Sequence, residues 1–244
     1  NHALLAMLQK DQPEQALKSI RTALEFWPEE AEWHAFAADL YQQIGEHEKA
    51  TKHISEALEN QPDNANFWQR SAEINLQFNN LAYAKQDLEK SASLNSNDSN
   101  TWLKMADVNR RLGYLHEATE NIHNASKLEP EDKRIALKEV KFLIDTNQYS
   151  QAEEAADEIV KKDSNYSDAY IMLARSQAKQ GKFDQAFETL DKASHQAPDN
   201  YAIYLETLKI RKDKEGADSV LTDLITLAQD HPNDPEVLTT LTDW

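Results

Sequence analysis

The stretch WLKMADVNRRLGYLHEATENIHNASKLEP at 102–130 has a counterpart further along the chain, YIMLARSQAKQGKFDQAFETLDKASHQAP at 170–198. Each copy begins with an aromatic residue, has a glycine eleven residues later and ends on a proline. Half of the distance between the two copies is the period of the whole chain. Multiples of 34 separate Pro28, Pro62, Pro130, Pro198 and Pro232. A fixed period of this length is typical of a repeat protein built from small helical units.

Breaks within each period indicate two helices per repeat. Gly45, Gly113 and Gly181 share one position of the period, and Asn79 and Asn147 fill the slots between them. Gly and Asn best tolerate the left-handed backbone conformation that closes a helix. A second break, a Pro or Ser, follows half a period after each of these positions. The chain is therefore predicted to alternate first and second helices throughout.

Alanine occupies one position of the period without interruption. A small side chain kept at a fixed position marks a point where two helices approach closely, because a larger one would force them apart. The fold class predicted from the residues alone is therefore all-α. The alanines are Ala16, Ala50, Ala84, Ala118, Ala152 and Ala186.

These positions together resemble the tetratricopeptide repeat (TPR) family, whose pattern is W-x2-L-G-x2-Y, then A-x3-F, then Pro over about 34 residues. The resemblance implies a right-handed α-α superhelix, a solenoid, of about seven TPR-like helix pairs. We expect one solenoid over 1–244, in which 235–244 begins a further repeat or capping helix and turns Trp244 inward. The other predicted units are a partial repeat at 1–30 and full repeats at 31–64, 65–98, 99–132, 133–166, 167–200 and 201–234.

Two repeats depart from the pattern and are expected to be the least regular. The repeat at 133–166 has Val140 where the family has a small residue. The repeat at 201–234 has Val220 at the alanine position and Gly216 one residue late.

Composition limits the classes of partner. The 244 residues contain 26 Lys and Arg against 43 Asp and Glu, a formal net charge of −17. That charge should repel nucleic acid and anionic membranes. No apolar run approaches the roughly 20 residues that span a bilayer. We expect a soluble chain that neither inserts into membranes nor binds nucleic acid, with the cytoplasm favoured over the periplasm or secretion.

Residues for catalysis or metal binding show no known spacing. The chain has no Cys, which excludes thiol nucleophiles and Cys-ligated zinc, and it has no Gly-rich phosphate loop and no G-x-S-x-G. None of the eight His forms an H-E-x-x-H motif. His116 and His123 are seven residues apart, about 10 Å along a helix axis, which is too far for one zinc ion. We therefore expect no enzyme activity, no cofactor and no metal site.

Basic residues concentrate where the resemblance implies a binding groove. In this family the first helix of each repeat lines a concave groove, through positions 2, 5, 6, 9, 12 and 13 of the repeat. From residue 99 onward these positions hold ten basic and five acidic residues, a net charge of +5. Arg134, Lys138 and Lys141 are spaced i, i+4 and i+7, so they share one helical face. The predicted peptide-binding residues are Lys104, Arg110, Arg111, Arg134, Lys138, Lys141, Arg175 and Lys179.

The sequence thus predicts a non-catalytic scaffold or adaptor that binds an acidic peptide or protein segment in this groove, through charge-assisted hydrogen bonds. Asp39 and Arg70 stand where some family members have the residues that clamp a C-terminal carboxylate, which disfavours that mode of binding. Two alternatives stay open. The chain could be a regulatory or substrate-presenting arm of a larger multidomain protein or enzyme, or a module that self-associates through the solenoid ends.

Overall fold

The structure, a computed structural model, describes residues 13–242, so the expected packing of Trp244 lies outside the described residues. This part of the chain has fourteen α-helices, one 3₁₀ turn and no strand. None of its helices has the length and apolar character needed to cross a bilayer. The helices are α1 Pro13–Phe26, α2 Ala31–Gln43, α3 His47–Asn60, α4 Ala65–Gln77, α5 Leu81–Leu94, α6 Ser99–Leu112, α7 Leu115–Leu128, α8 Lys133–Asp145, α9 Tyr149–Lys162, α10 Ser167–Lys179, α11 Phe183–Gln196, α12 Tyr201–Glu215, α13 Leu221–Asp230 and α14 Pro235–Thr242.

Helix ends lie where the repeated Gly and Asn residues predict them. Asn79 and Asn147 adopt φ values of 60° and 61°, and they are the described non-glycine residues with positive φ. Gly113 closes α6 in the same left-handed region, at φ 83°. These residues satisfy the last carbonyl groups of the first helices and turn the chain into the second helices.

Several first helices begin with a short polar side chain just before the first turn. Asp98 accepts a hydrogen bond from the backbone N–H of Asn100, and Asn64 accepts one from that of Asn66. Each such bond satisfies a donor that has no partner within the helix. Asp132, before α8, binds the N–H of Arg134 in the same way at 2.9 Å.

The alanine positions lie in the interfaces between helices, as their predicted role requires. All six alanines have no exposed surface, and Val220, at the equivalent position in 201–234, is equally buried. Larger apolar residues such as Ile54, Leu88 and Leu190 pack around them and are at most 2% exposed. The all-α solenoid class is therefore confirmed by the observed helix pairs.

The helix pairs of the two repeats expected to be least regular contact each other less extensively than those of the other full repeats. In 133–166 the departure does not extend to helix length, since α8 and α9 have 13 and 14 residues, as in other repeats. The expectation therefore holds for the helix contact in 133–166. It is confirmed for 201–234, where Gly216 has φ 96° and ψ 164° and lets α12 run to 15 residues. A 3₁₀ turn at Ala217–Ser219 then delays α13, which has only 10 residues.

The chain divides into two compact units, Asn1–Leu128 and Glu129–Trp244. Within the described part of each unit, a first helix packs against the second helix of its own repeat, and first helices of successive repeats also contact one another. The single solenoid over 1–244 with its seven repeat boundaries stays a prediction.

Candidate functional site

First helices of neighbouring repeats are joined by ion pairs at a fixed offset. In the first unit, Arg70 Nη1 lies 3.2 Å from Asp39 Oδ2, and the ammonium group of Lys104 binds the carboxylate of Glu73. Each pair joins position 9 of one repeat to position 6 of the next. Lys104, one of the predicted peptide-binding residues, is therefore already bound to an acidic side chain.

The second unit repeats this geometry with the charges exchanged. Arg175, at position 9, donates from Nε to Glu206 Oε1 at 2.7 Å and from Nη2 to Oε2 at 2.5 Å. Glu206 is only 4% exposed, so this bidentate pair is part of the packing between α10 and α12. Lys179 lies 3.5 Å from Asp213 in a more exposed pair. Both predicted residues thus have intramolecular partners.

Arg110 and Arg111, at the end of α6, bind acceptors within the first unit. Arg110 Nη2 donates to Asp107 Oδ1 at 2.6 Å. Arg111 Nη2 donates to Asn79 Oδ1 at 2.7 Å, and its Nη1 lies 3.8 Å from Asp107. Arg111 therefore ties α6 to the turn that follows α4.

Arg134 folds back onto the start of its own helix. Its Nη2 donates to Asp132 Oδ2 at 2.8 Å, while 84% of its side chain stays exposed. Hydrogen bonds from the Arg134 side chain and backbone lower the pKa of Asp132 to about 2. The charge of Arg134 is thus partly neutralised, although the side chain is accessible.

Lys138 and Lys141 differ from the other six predicted residues. Both are exposed on α8, and neither forms an ion pair with any residue that the structure describes. Lys141 is at position 9, like Arg175, whose partner is at position 6 of the next repeat. The residue at that position in the repeat after Lys141 is Met172, so Lys141 has no carboxylate there.

The structure therefore separates the predicted residues into two groups. Three of them, Lys104, Arg110 and Arg111, belong to the first unit, and the rest belong to the second. Most of the eight predicted basic residues pair with acidic side chains of the same chain, and the number of basic residues at groove positions does not show these pairs. The signal was present in the sequence as opposite charges at a constant separation, the same for Glu73 with Lys104 as for Arg175 with Glu206.

The sequence matches models of one known protein family. Two tetratricopeptide repeat models match residues 7–74 and 137–201, which together make more than half of the chain. The chain belongs to the tetratricopeptide repeat family. Proteins with TPR folds act as interaction scaffolds, which agrees with a surface made of helix faces rather than an enclosed cavity.

Solved structures with the same TPR fold are only distantly related in sequence. The C-terminal part of a TPR repeat-containing protein from Cytophaga hutchinsonii is 13% identical, with 98% of each chain covered and a TM-score of 0.74. YrrB, described as a TPR protein with an unusual peptide-binding site, is 20% identical over 77% of this chain and 97% of its own, with a TM-score of 0.60. PilF of Pseudomonas aeruginosa is 20% identical over 86% and 94%, also with a TM-score of 0.60. No curated protein matches the chain significantly.

Asp39, on α2, has a pKa that is strongly changed by its surroundings. Burial raises the pKa of the carboxyl group from 3.8 to about 6, and nearby Glu73 and Glu32 act in the same direction. Arg70 opposes the shift without cancelling it. The ionised carboxylate is therefore less stable in the folded chain than in the unfolded chain, where its pKa is ordinary.

We expect Asp39→Asn to raise the free energy of unfolding at pH 7 by about 1 kcal/mol, after allowance for screening of a side chain that is one-third exposed. The cost of the ionised Asp39 is complete above its folded pKa of about 6 and disappears below its unfolded value of 3.8. The advantage of the variant should therefore shrink as the pH falls from 6 to 4. Urea unfolding at pH 7, 5.5 and 4 measures it.

Asp63→Asn is the matched control, since Asp63 is an exposed carboxylate in the same repeat. It should leave stability almost unchanged at every pH. An advantage of Asp39→Asn that grows with acidity would show that Asp39 stabilises the fold as a carboxylate.

Proposed function

We propose that this TPR chain is a non-catalytic scaffold that binds an acidic segment of a partner protein along α8. The observation that carries the proposal is the exposed pair Lys138 and Lys141, which has no intramolecular partner among the described residues. The two ammonium groups lie on one helical face with Arg134. Carboxylates spaced along an extended or helical segment can bind several of these groups together.

Because other basic residues of the groove are bound to carboxylates, an acidic ligand is attracted mainly to the unpaired lysines of α8. Basic residues already bound to carboxylates, such as Lys104 and Arg175, offer little net charge to a ligand. The chain as a whole carries −17, so an acidic partner is repelled by most of the surface. Binding at one locally basic helix would therefore be selective for position and would weaken as salt screens the charges.

The fold relatives support a peptide ligand in general terms. YrrB is described as having a peptide-binding site, although its 20% identity relates the two chains through their fold alone. We propose that this chain also binds a peptide. The acidic character of the ligand rests on Lys138 and Lys141.

The test is the charge reversal Lys138→Glu with Lys141→Glu, measured by fluorescence anisotropy with a short labelled peptide of alternating Asp and Glu. Each exposed ion pair contributes roughly 0.5 kcal/mol, and reversal replaces two such attractions by similar repulsions. The sum of about 2 kcal/mol corresponds to binding that is roughly 30-fold weaker. Salt dependence should decrease in parallel.

Lys161→Glu with Lys162→Glu is the matched control, because it makes the same charge change on α9, the second helix of the same repeat. The control should bind the acidic peptide within about threefold of the wild type, as expected for charges outside the contact. Equal losses in both double variants would attribute binding to net charge and contradict a site on α8. Unchanged binding in the α8 variant would contradict it as well.

A further inference from the structure

Two histidines and a glutamate converge in the first unit, away from the basic residues of α8. His34 belongs to α2, and His53 and Glu56 belong to α3. The Nδ1 atoms of the two imidazoles are 3.1 Å apart. Glu56 Oε2 lies 2.7 Å from His34 Nδ1 and 3.5 Å from His53 Nδ1. Three potential ligand atoms therefore surround one point between the two helices.

The hydrogen bond on the far side of the His34 ring determines what its Nδ1 presents. His34 Nε2 lies 2.8 Å from the carbonyl oxygen of Pro28, and a carbonyl only accepts, so Nε2 carries the hydrogen. In the neutral ring, Nδ1 then directs a lone pair at the Glu56 carboxylate. Nδ1 of His34 can accept from Nδ1–H of His53, but its 2.7 Å contact with the Glu56 carboxylate joins two acceptors and is favourable only when a positive centre lies between them.

The distances suit a small tetrahedral metal ion. Zinc binds imidazole nitrogen at about 2.0–2.1 Å, which places two ligand atoms of a tetrahedron about 3.3 Å apart. The three distances among His34, His53 and Glu56, from 2.7 to 3.5 Å, lie around this value. A set of two imidazoles and one carboxylate suits zinc and neighbouring transition metals better than Ca²⁺ or Mg²⁺, which prefer oxygen ligands.

Surrounding groups hold the ligands in place. The His53 ring stacks on Tyr41 with centroids 5.4 Å apart and an interplanar angle of 7°. Tyr41 is 4% exposed, and its hydroxyl accepts a hydrogen bond from Arg21 Nη2 at 2.7 Å. Lys52 lies 3.8 Å from Oε1 of Glu56, which leaves Oε2 directed at the histidines. Such outer contacts fix ring orientation in known metal sites.

We propose that His34, His53 and Glu56 bind one divalent transition metal ion of the zinc class. The three side chains supply three of four tetrahedral positions, and water supplies the fourth on the side of Glu56, which is one-third exposed. The ion would connect α2 to α3, and through the Pro28 carbonyl it would fix the turn that precedes α2. The proposal is independent of peptide binding at α8.

The test uses the full chain without an affinity tag, stripped with EDTA and then dialysed against Zn²⁺. We expect one zinc ion per chain by elemental analysis, and a visible absorption spectrum typical of tetrahedral coordination when Co²⁺ is used. His53→Gln and Glu56→Gln should each weaken zinc binding by at least the roughly 10–100-fold that loss of an outer contact costs in known sites. Both side chains are partly exposed, and circular dichroism checks that the helices form.

His116→Gln is the matched control, since His116 Nδ1 lies 3.9 Å from Glu120 Oε1 in an exposed pair without a third ligand atom. It should retain the affinity of the wild type. Absence of stoichiometric zinc would overturn the proposal. Zinc binding that survives both ligand substitutions, or is lost equally in the control, would overturn it too.

Discussion

Replacing Ala84 by Leu is expected to lower the free energy of unfolding by about 3 kcal/mol. Ala84 lies in α5 with no exposed surface, at the repeat position that holds a fully buried alanine in six second helices. The three extra carbon atoms have no space to enter, so α5 would have to move away from the helices around it. Urea unfolding followed by circular dichroism measures the loss.

Ala82→Leu is the matched control, because Ala82 lies two residues earlier in the same helix and is exposed. The two variants share the change in helix propensity and differ only in packing. Ala82→Leu should stay within about 0.5 kcal/mol of the wild type. Similar stabilities for the two variants would contradict the close approach of helices at Ala84.

Arg175→Met is expected to lower the free energy of unfolding by about 3 kcal/mol, because it leaves the buried carboxylate of Glu206 without its bidentate partner. Adding Glu206→Met should restore much of this loss, since a pair of apolar side chains fills the space without an unpaired charge. Unfolding of the wild type, both single variants and the double variant gives the coupling energy.

Lys179→Met serves for comparison, because the pair of Lys179 with Asp213 is about half exposed at both side chains. Its loss should stay below about 1 kcal/mol. If Arg175→Met cost no more than Lys179→Met, Arg175 would be available to a ligand, as its position in the groove pattern first suggested.

The period of the sequence determines the features of the fold that depend on one repeat and its immediate neighbours. The positive φ of Asn147 and the complete burial of Ala84 follow from residue type at a fixed position. Val140 stands where the family has a small residue, and its repeat keeps helices of ordinary length. The contact between those two helices is nevertheless smaller than in the preceding repeats, a difference whose size a single position does not reveal.

Whether a basic side chain is paired or free depends on the residue opposite it on the neighbouring helix, and a count of charges does not give that residue. Arg175 and Lys141 occupy the same repeat position. Arg175 binds Glu206 in the following repeat, whereas the equivalent residue for Lys141 is Met172. The cluster of His34, His53 and Glu56 was missed for a related reason. Its histidines are 19 residues apart on two helices, so no spacing within one helix reveals them.

The reversal of charge between the two units has a consequence for the order of the repeats. In the first unit the acidic residue precedes the basic one, as in Glu73 with Lys104, and in the second Arg175 precedes Glu206. A chain in which the repeat 65–98 were joined directly to 201–234 would place the half-exposed Glu73 against the buried Glu206, two carboxylates in one contact. Near-identical helix pairs are prone to exchange and to misassembly during folding. The polarity of these pairs therefore disfavours contact between a repeat of the first unit and a repeat of the second in the wrong order, while the shared helix geometry stays unchanged.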